Sequence, residues 1–189
     1  MKNETTENRL CILSSVIAAG WTVWYMHYGN PFENSGALSK TGLTHKAEFV
    51  LWGILTLFAL CFNLVSAYRR YTKVKFYIPM LGAAALGMTL TLAFDFDYDE
   101  KVQYFLHCAG SLAFSAVMGI AVFLLFLLNY KKAKIFRAFT YISGIILIVD
   151  LICLLIFKET AMIEAVPIFA GYIMLGAVNL RREKVEITG

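Results

Sequence analysis

The chain has 189 residues, of which 59% are hydrophobic and 16% charged, and its mean hydropathy is +0.66. A soluble domain carries about a quarter charged residues, so a soluble globular domain, a disordered chain and a small secreted disulfide scaffold are all excluded. The formal net charge of +4 comes from short basic clusters beside apolar runs, a pattern that suits anionic lipid head groups and excludes nucleic acid as a partner.

A membrane-crossing helix needs about 20 predominantly apolar residues. Six segments qualify, at 10–28, 47–68, 76–94, 102–128, 138–157 and 160–180. They predict an all-α polytopic membrane helix bundle of six transmembrane helices, one domain over residues 1–189. Long unbroken runs with weak alternation exclude an outer-membrane barrel.

The first span follows Lys2 and Arg9 and contains Ala18-Ala19-Gly20, as a secretory signal would, but Trp21, Trp24 and Tyr25 follow at once. That aromatic belt reads as a retained anchor. Tyr28-Gly29-Asn30-Pro31 then signals a turn. The loop from Gly29 to Lys46 is the longest, and Thr44 is a candidate cap for the second span.

In the second span His45, Glu48, Trp52, Thr56, Ala59, Asn63 and Ser66 follow at steps of three and four. They form one polar face, which on a membrane helix turns into the bundle. Small residues mark the first span (Ser14, Ser15, Ala18, Ala19, Thr22) and the third (Gly82, Ala83, Ala84, Ala85, Gly87), where close helix packing is expected. Pro79 and Pro167 predict kinks in the third and sixth spans.

The acidic loop Asp95-Phe-Asp-Tyr-Asp99 resembles the start of a calcium loop, but Glu100 replaces the turn glycine and Leu106 the bidentate acid. In the fourth span Gln103, His107, Ser111, Ser115 and Gly119 step by four. An intramembrane histidine must find a partner, because an unsatisfied polar group in hydrocarbon costs several kcal/mol. Asp150 and Glu164 are acids inside the fifth and sixth spans, and such acids face the bundle interior. Cys11, Cys61, Cys108 and Cys153 make no C-x-x-C motif and read as packing residues, although the heights of Cys108 and Cys153 are compatible with a disulfide.

If the N-terminus is cytoplasmic, the inner side holds Lys2, Arg9, Arg69, Arg70, Lys73, Lys75, Lys131, Lys132, Lys134, Arg137, Arg181, Arg182 and Lys184. The outer side holds only Lys40, Lys46, Lys101 and Lys158. The positive-inside rule therefore places both termini in the cytoplasm. His27, His45 and His107 all fall on the outer side, with most of the acids, so any polar site opens outward.

The candidate ligand-binding residues are His45, Glu48, Trp52, His107, Ser111 and Glu164. They suit an outward-facing polar pocket for a lipid head group or small amphipathic ligand, in a binding or transport role. A second reading is an intramembrane hydrolase acting on a lipid amide or ester. There, zinc would be held by His45, His107, Asp97 and Asp99, with Glu48 or Glu164 as general base. A third is a non-catalytic accessory subunit. Candidate partners are membrane lipids, a small amphipathic ligand and a second copy of the chain as a homo-oligomer. No phosphate loop, H-E-x-x-H or G-x-S-x-G motif is present.

The long outer loop after the first span, the stretch His107-Cys-Ala-Gly-Ser-Leu-Ala-Phe114 and an acid at the start of the sixth span (Glu159 or Glu164) carry a resemblance. In these features the chain resembles the six-span DRAM-like family and related uncharacterised bacterial six-span membrane proteins. Gly110 and Phe114 keep the spacing of that family's "H-x-x-G-A-x-x-F" pattern, with Ser111 in place of alanine. The resemblance implies membrane and lipid biology and a bacterial plasma membrane.

Overall fold

The computed structural model describes residues 2–181. Arg182 and Lys184 of the inner basic set lie outside the described residues, as does the Lys2 side chain. The elements are α1 (Lys2–Met26), a 3-10 turn (Asn34–Gly36), α2 (Leu38–Thr41), α3 (Lys46–Tyr71), α4 (Tyr77–Ala93), α5 (Lys101–Leu128), α6 (Lys134–Phe157) and α7 (Ala161–Leu180). No strand occurs among the described residues. Five of these helices have the length and composition of a membrane span. The sixth apolar helix, α4, has 17 residues. At 1.5 Å per residue it reaches about 25 Å, close to the shortest workable crossing.

Hydrogen bonds group the helix ends into two sets. At one end Arg70 donates to the Asn179 carbonyl at 2.7 Å and also to Asn8 Oδ1. There Tyr71 Oη donates to the Val178 carbonyl at 2.7 Å and Lys132 Nζ to the Tyr71 carbonyl at 2.6 Å. At the other end Asn34 Nδ2 donates to the Glu159 carbonyl at 2.7 Å, and Met162 N to the Pro31 carbonyl at 3.1 Å. Lys46 pairs with Asp95 at 2.5 Å there. Successive long helices therefore run in alternate directions. The described basic clusters collect at the first end and the acidic loops at the second.

Helix α3 is the hub, packed against α1, α4, α5 and α7. Its predicted polar face is buried at Trp52, Thr56, Asn63 and Ser66, and most of that polarity is used in stitching. Trp52 Nε1 donates to Thr22 Oγ1 at 3.2 Å, and Tyr172 Oη to Thr56 Oγ1 at 3.1 Å. Asn63 Nδ2 donates to the Cys11 carbonyl at 3.0 Å, and Asn179 Nδ2 to the Asn63 carbonyl at 3.0 Å. The face thus joins α1 and α7.

The most extensive helix pair is α4 with α5. At their crossing the backbones touch. A Cβ on Gly87 would lie 2.8 Å from the Gly110 carbonyl oxygen, and one on Gly110 would lie 2.6 Å from that of Gly87. Helix α6 is the least embedded. Its buried residues are Phe136, Thr140 and Ser143, all in its basic-end half, and the stretch 144–157 has none.

Two local expectations change. Thr44 does not cap α3; His45 holds the cap position and Thr44 Oγ1 bonds back to the Thr41 carbonyl at 3.2 Å. Pro79 does not interrupt a helix. It is the third residue of α4, in the turn whose N–H groups have no intrahelical acceptor anyway. Pro167 does lie inside α7, so the Ile163 carbonyl loses its i+4 donor.

Candidate functional site

The poor embedding of the acidic-end half of α6 leaves a cavity of about 500 Å³ between α5, α6 and α7. At mid-height α5 and α6 approach closely, where a Cβ on Gly119 would lie 2.5 Å from Leu147 Cδ2. Helix α5 contributes His107, Ser111 and Ser115, one helical stripe at steps of four. Helix α6 contributes Asp150 and Ser143, two turns apart, and α7 contributes Glu164. Ser39 of α2 and Glu159 stand at the acidic end, while Leu60, Met118, Val122 and Met174 line the deeper wall.

The heights follow from the helical rise. His107 lies six residues into α5, and the Gly119–Leu147 and Gly144–Phe123 contacts set Asp150 level with the Ser115–Ala116 turn of α5, about 13 Å deeper than His107. Ser143 lies two turns deeper again. The cavity thus has His107, Glu159 and Glu164 near its acidic end, Asp150 at mid-depth, and Met118, Val122 and Met174 on the deeper wall.

His107 is 1% exposed. Its ring stacks on Phe49 at 6.0 Å and meets Phe96 edge-on at 5.2 Å. His107 Nδ1 lies 2.9 Å from the Phe94 carbonyl oxygen. A carbonyl only accepts, so Nδ1 carries the proton, and in the neutral ring Nε2 is an acceptor. Nε2 is buried and has no hydrogen-bond partner among the described residues. The bond to Phe94 also ties α5 to the end of α4.

Glu164 is held from the opposite side. Its carboxylate accepts from Leu38 N at 2.5 Å and from Ser39 Oγ at 2.9 Å. It thereby satisfies a free N–H of the short α2 turn and clamps the long loop across the top of the cavity. Asp150 is half-buried, and no hydrogen bond or ion pair holds it among the described residues. No lysine or arginine lines the cavity.

Of the predicted binding residues, His107, Ser111 and Glu164 converge on this cavity. His45, Glu48 and Trp52 do not. His45 stacks on Tyr28 at 4.0 Å, the Glu48 carbonyl accepts from Trp21 Nε1 at 3.3 Å, and Trp52 faces α1. All three lie on the α1 side of α3, and none lines the cavity. The candidate zinc set is not assembled. His45 stacks on Tyr28, while Asp97 and Asp99 form their own turn, with Asp99 N donating to Asp97 Oδ1 at 3.0 Å. Among the described residues no three His, Cys, Asp or Glu side chains are placed to hold a metal ion, and all four cysteines, Cys108 and Cys153 included, are free. Ser39, Ser143 and Asp150 complete the wall. Asp150 carried a signal in the sequence as an acid within a span, whereas Ser39 in the loop carried none. Comparison with protein-family models, with curated proteins and with solved structures gives no match.

Proposed function

We propose that this is an integral membrane protein with six spans and cytoplasmic termini, and that it binds a small amphipathic ligand in the cavity between α5, α6 and α7. The role is one of binding or transport, and the cavity opens toward the outer face of a bacterial plasma membrane. The observation that carries this reading is the grading of the cavity, with His107, Glu159 and Glu164 near the acidic end and Met118, Val122 and Met174 deeper. An amphiphile seated head-up there matches polar to polar and apolar to apolar along its length. The volume lies within the range of about 300–1,000 Å³ usual for small-molecule sites. The unburied stretch 144–157 of α6 supplies a side entrance from the bilayer. The resemblance to the DRAM-like family, with its lipid associations, points the same way. A zinc hydrolase draws no support from the placement of His45, Asp97 and Asp99.

The test is the amphiphile content of the purified protein. Protein extracted in a mild non-ionic detergent is expected to carry a small amphiphile detectable by mass spectrometry. A Ser115→Leu variant, which fills the cavity at mid-depth, is expected to lose it while retaining its helicity. Equal content in both proteins, or none in either after addition of membrane lipid extract, would overturn the proposal.

A further inference from the structure

The chemistry of the cavity wall narrows the ligand class, on the premise that the cavity is a binding site. The charged side chains that face it are all acids, Asp150, Glu159 and Glu164, and no lysine or arginine joins them. His107, with Nδ1 bound to the Phe94 carbonyl, offers only the Nε2 lone pair in its neutral form. That atom is buried without a partner among the described residues. Glu164 and Glu159 already take protein donors, from Leu38 and Ser39 and from Asn34 respectively. Asp150 takes none.

The wall therefore presents acceptors and negative charge, and at mid-depth, level with the Ser115–Ala116 turn of α5, the Asp150 carboxylate stands free among the described residues. An anionic head would meet like charge in a medium that screens poorly. A neutral hydroxyl head would satisfy an acceptor and leave the acid without a counter-charge. A head with several N–H donors and a positive charge satisfies both. The serines at 111, 115 and 143 adapt to either role, since a hydroxyl both donates and accepts. Met118, Val122 and Met174 make most of the deeper wall apolar, which suits a hydrocarbon tail.

We infer that the cavity selects amphiphiles with a primary ammonium head, with Asp150 as the counter-ion. Ammonium, alcohol and carboxylate of one chain length isolate the head from the tail. Binding of dodecylammonium, dodecanol and dodecanoate would be measured by their effect on thermal unfolding of the full chain in non-ionic detergent. The wild type is compared with Asp150→Asn and with the cavity-filled Ser111→Phe. Asp150 makes no protein contact that the amide would break, so D150N is expected to fold. Size-exclusion profile and helicity check both variants, and Ser115→Leu replaces Ser111→Phe if the latter misfolds.

Dodecylammonium is expected to bind about tenfold or more tightly than dodecanoate, as fits one charge-assisted contact. In D150N that ratio is expected to fall toward one, and in the filled variant all three are expected to lose binding. Dodecanoate binding as tightly as dodecylammonium, with the filled variant still abolishing both, would overturn the head-group inference and leave the cavity reading standing. An unchanged ratio in D150N would overturn the role of Asp150 and with it the inference. Binding unaffected by the filled variant would instead overturn the cavity reading itself.

Discussion

Three asparagines sit toward the basic end of their helices, and the sequence presents them as equivalents. Asn63 Nδ2 is within reach of the Cys11 carbonyl at 3.0 Å and Ser15 Oγ at 3.2 Å, and Asn63 in turn accepts from Asn179 Nδ2. One side chain thus joins α1, α3 and α7. Asn129 Nδ2 donates at 2.7 Å to the Leu125 carbonyl of its own helix, and its buried Oδ1 has no partner among the described residues. The two therefore separate energetically. Asn63→Leu removes the bonds to Cys11 and Ser15 and one of the two acceptors of the Asn179 amide, leaving that amide only the backbone carbonyl of residue 63, and is expected to cost about 1–2 kcal/mol, the upper range for interhelical polar contacts in membranes. Asn129→Leu removes an unsatisfied acceptor with its own-helix bond and is expected to stay within about 0.5 kcal/mol of wild type. Reversible unfolding in mixed micelles measures both, and an equal cost for the two would refute the distinction. Sequence spacing could place Asn63 on an inward face, because helical periodicity fixes which residues share a side. It could not say which helix that side would meet. The same limit explains His45, Glu48 and Trp52: they share the inward face of α3, yet that face is covered by α1 and α7 and never reaches the cavity.

Among the helices, contact depends on which small residues fall at a crossing. The third span shows a run of small residues in sequence, but only Gly87 among its glycines lies where a backbone presses in. A Cβ there would stand 2.7 Å from Phe114 N, whereas at Gly82 it would meet nothing within 4 Å. Gly110 is the reciprocal position, with Thr91 N 2.8 Å from its would-be Cβ. This accounts physically for the His107-x-x-Gly110-x-x-x-Phe114 stretch. Gly110 admits α4, and three residues earlier, on the same side of α5, His107 Nδ1 donates to the Phe94 carbonyl that ends α4. Gly87→Ala and Gly110→Ala each force the two backbones apart and are expected to destabilise by about 1–3 kcal/mol. Gly82→Ala, with open space and a better helix former, is expected to be neutral or stabilising by up to about 1 kcal/mol. Thermal unfolding of the three variants tests this, and a cost at Gly82 matching that at Gly87 would contradict the assigned crossing. The helix boundaries themselves were legible within about four residues for every span but the first, because apolar length and basic punctuation set them. The first helix begins eight residues earlier than its apolar run, since its opening turns are polar and apolar length does not sense them. The short α2 turn was not legible, because it is held by a partner 126 residues away, the Glu164 carboxylate.

For the whole molecule the open question is how the bundle sits in the bilayer. Arg70, Lys132 and the other described basic clusters share one end, and the loops carrying Ser35 and Asp99 share the opposite end. The positive-inside rule assigns the first end to the cytoplasm. The weak point of a six-span topology is α4, whose 17 residues barely reach across a hydrocarbon layer about 30 Å thick. Its close packing on α5 through Gly87 and Gly110 compensates, because a short helix held against a full-length neighbour is drawn across with it. Single cysteines placed in a chain whose four native cysteines are replaced by alanine resolve both points. Ser35 and Asp99 are exposed at the acidic end, and Lys73 and Lys131 at the basic end. In intact cells a membrane-impermeant maleimide is expected to label Ser35→Cys and Asp99→Cys, and to reach Lys73→Cys and Lys131→Cys only after permeabilisation. The reverse pattern would invert the orientation. Labelling of Asp99→Cys together with Lys73→Cys from one side would show that α4 does not cross. Because α5 begins immediately after Asp99, that second outcome would also place the His107 end of the cavity on the same side as the basic loops, removing the outward opening on which ligand entry depends.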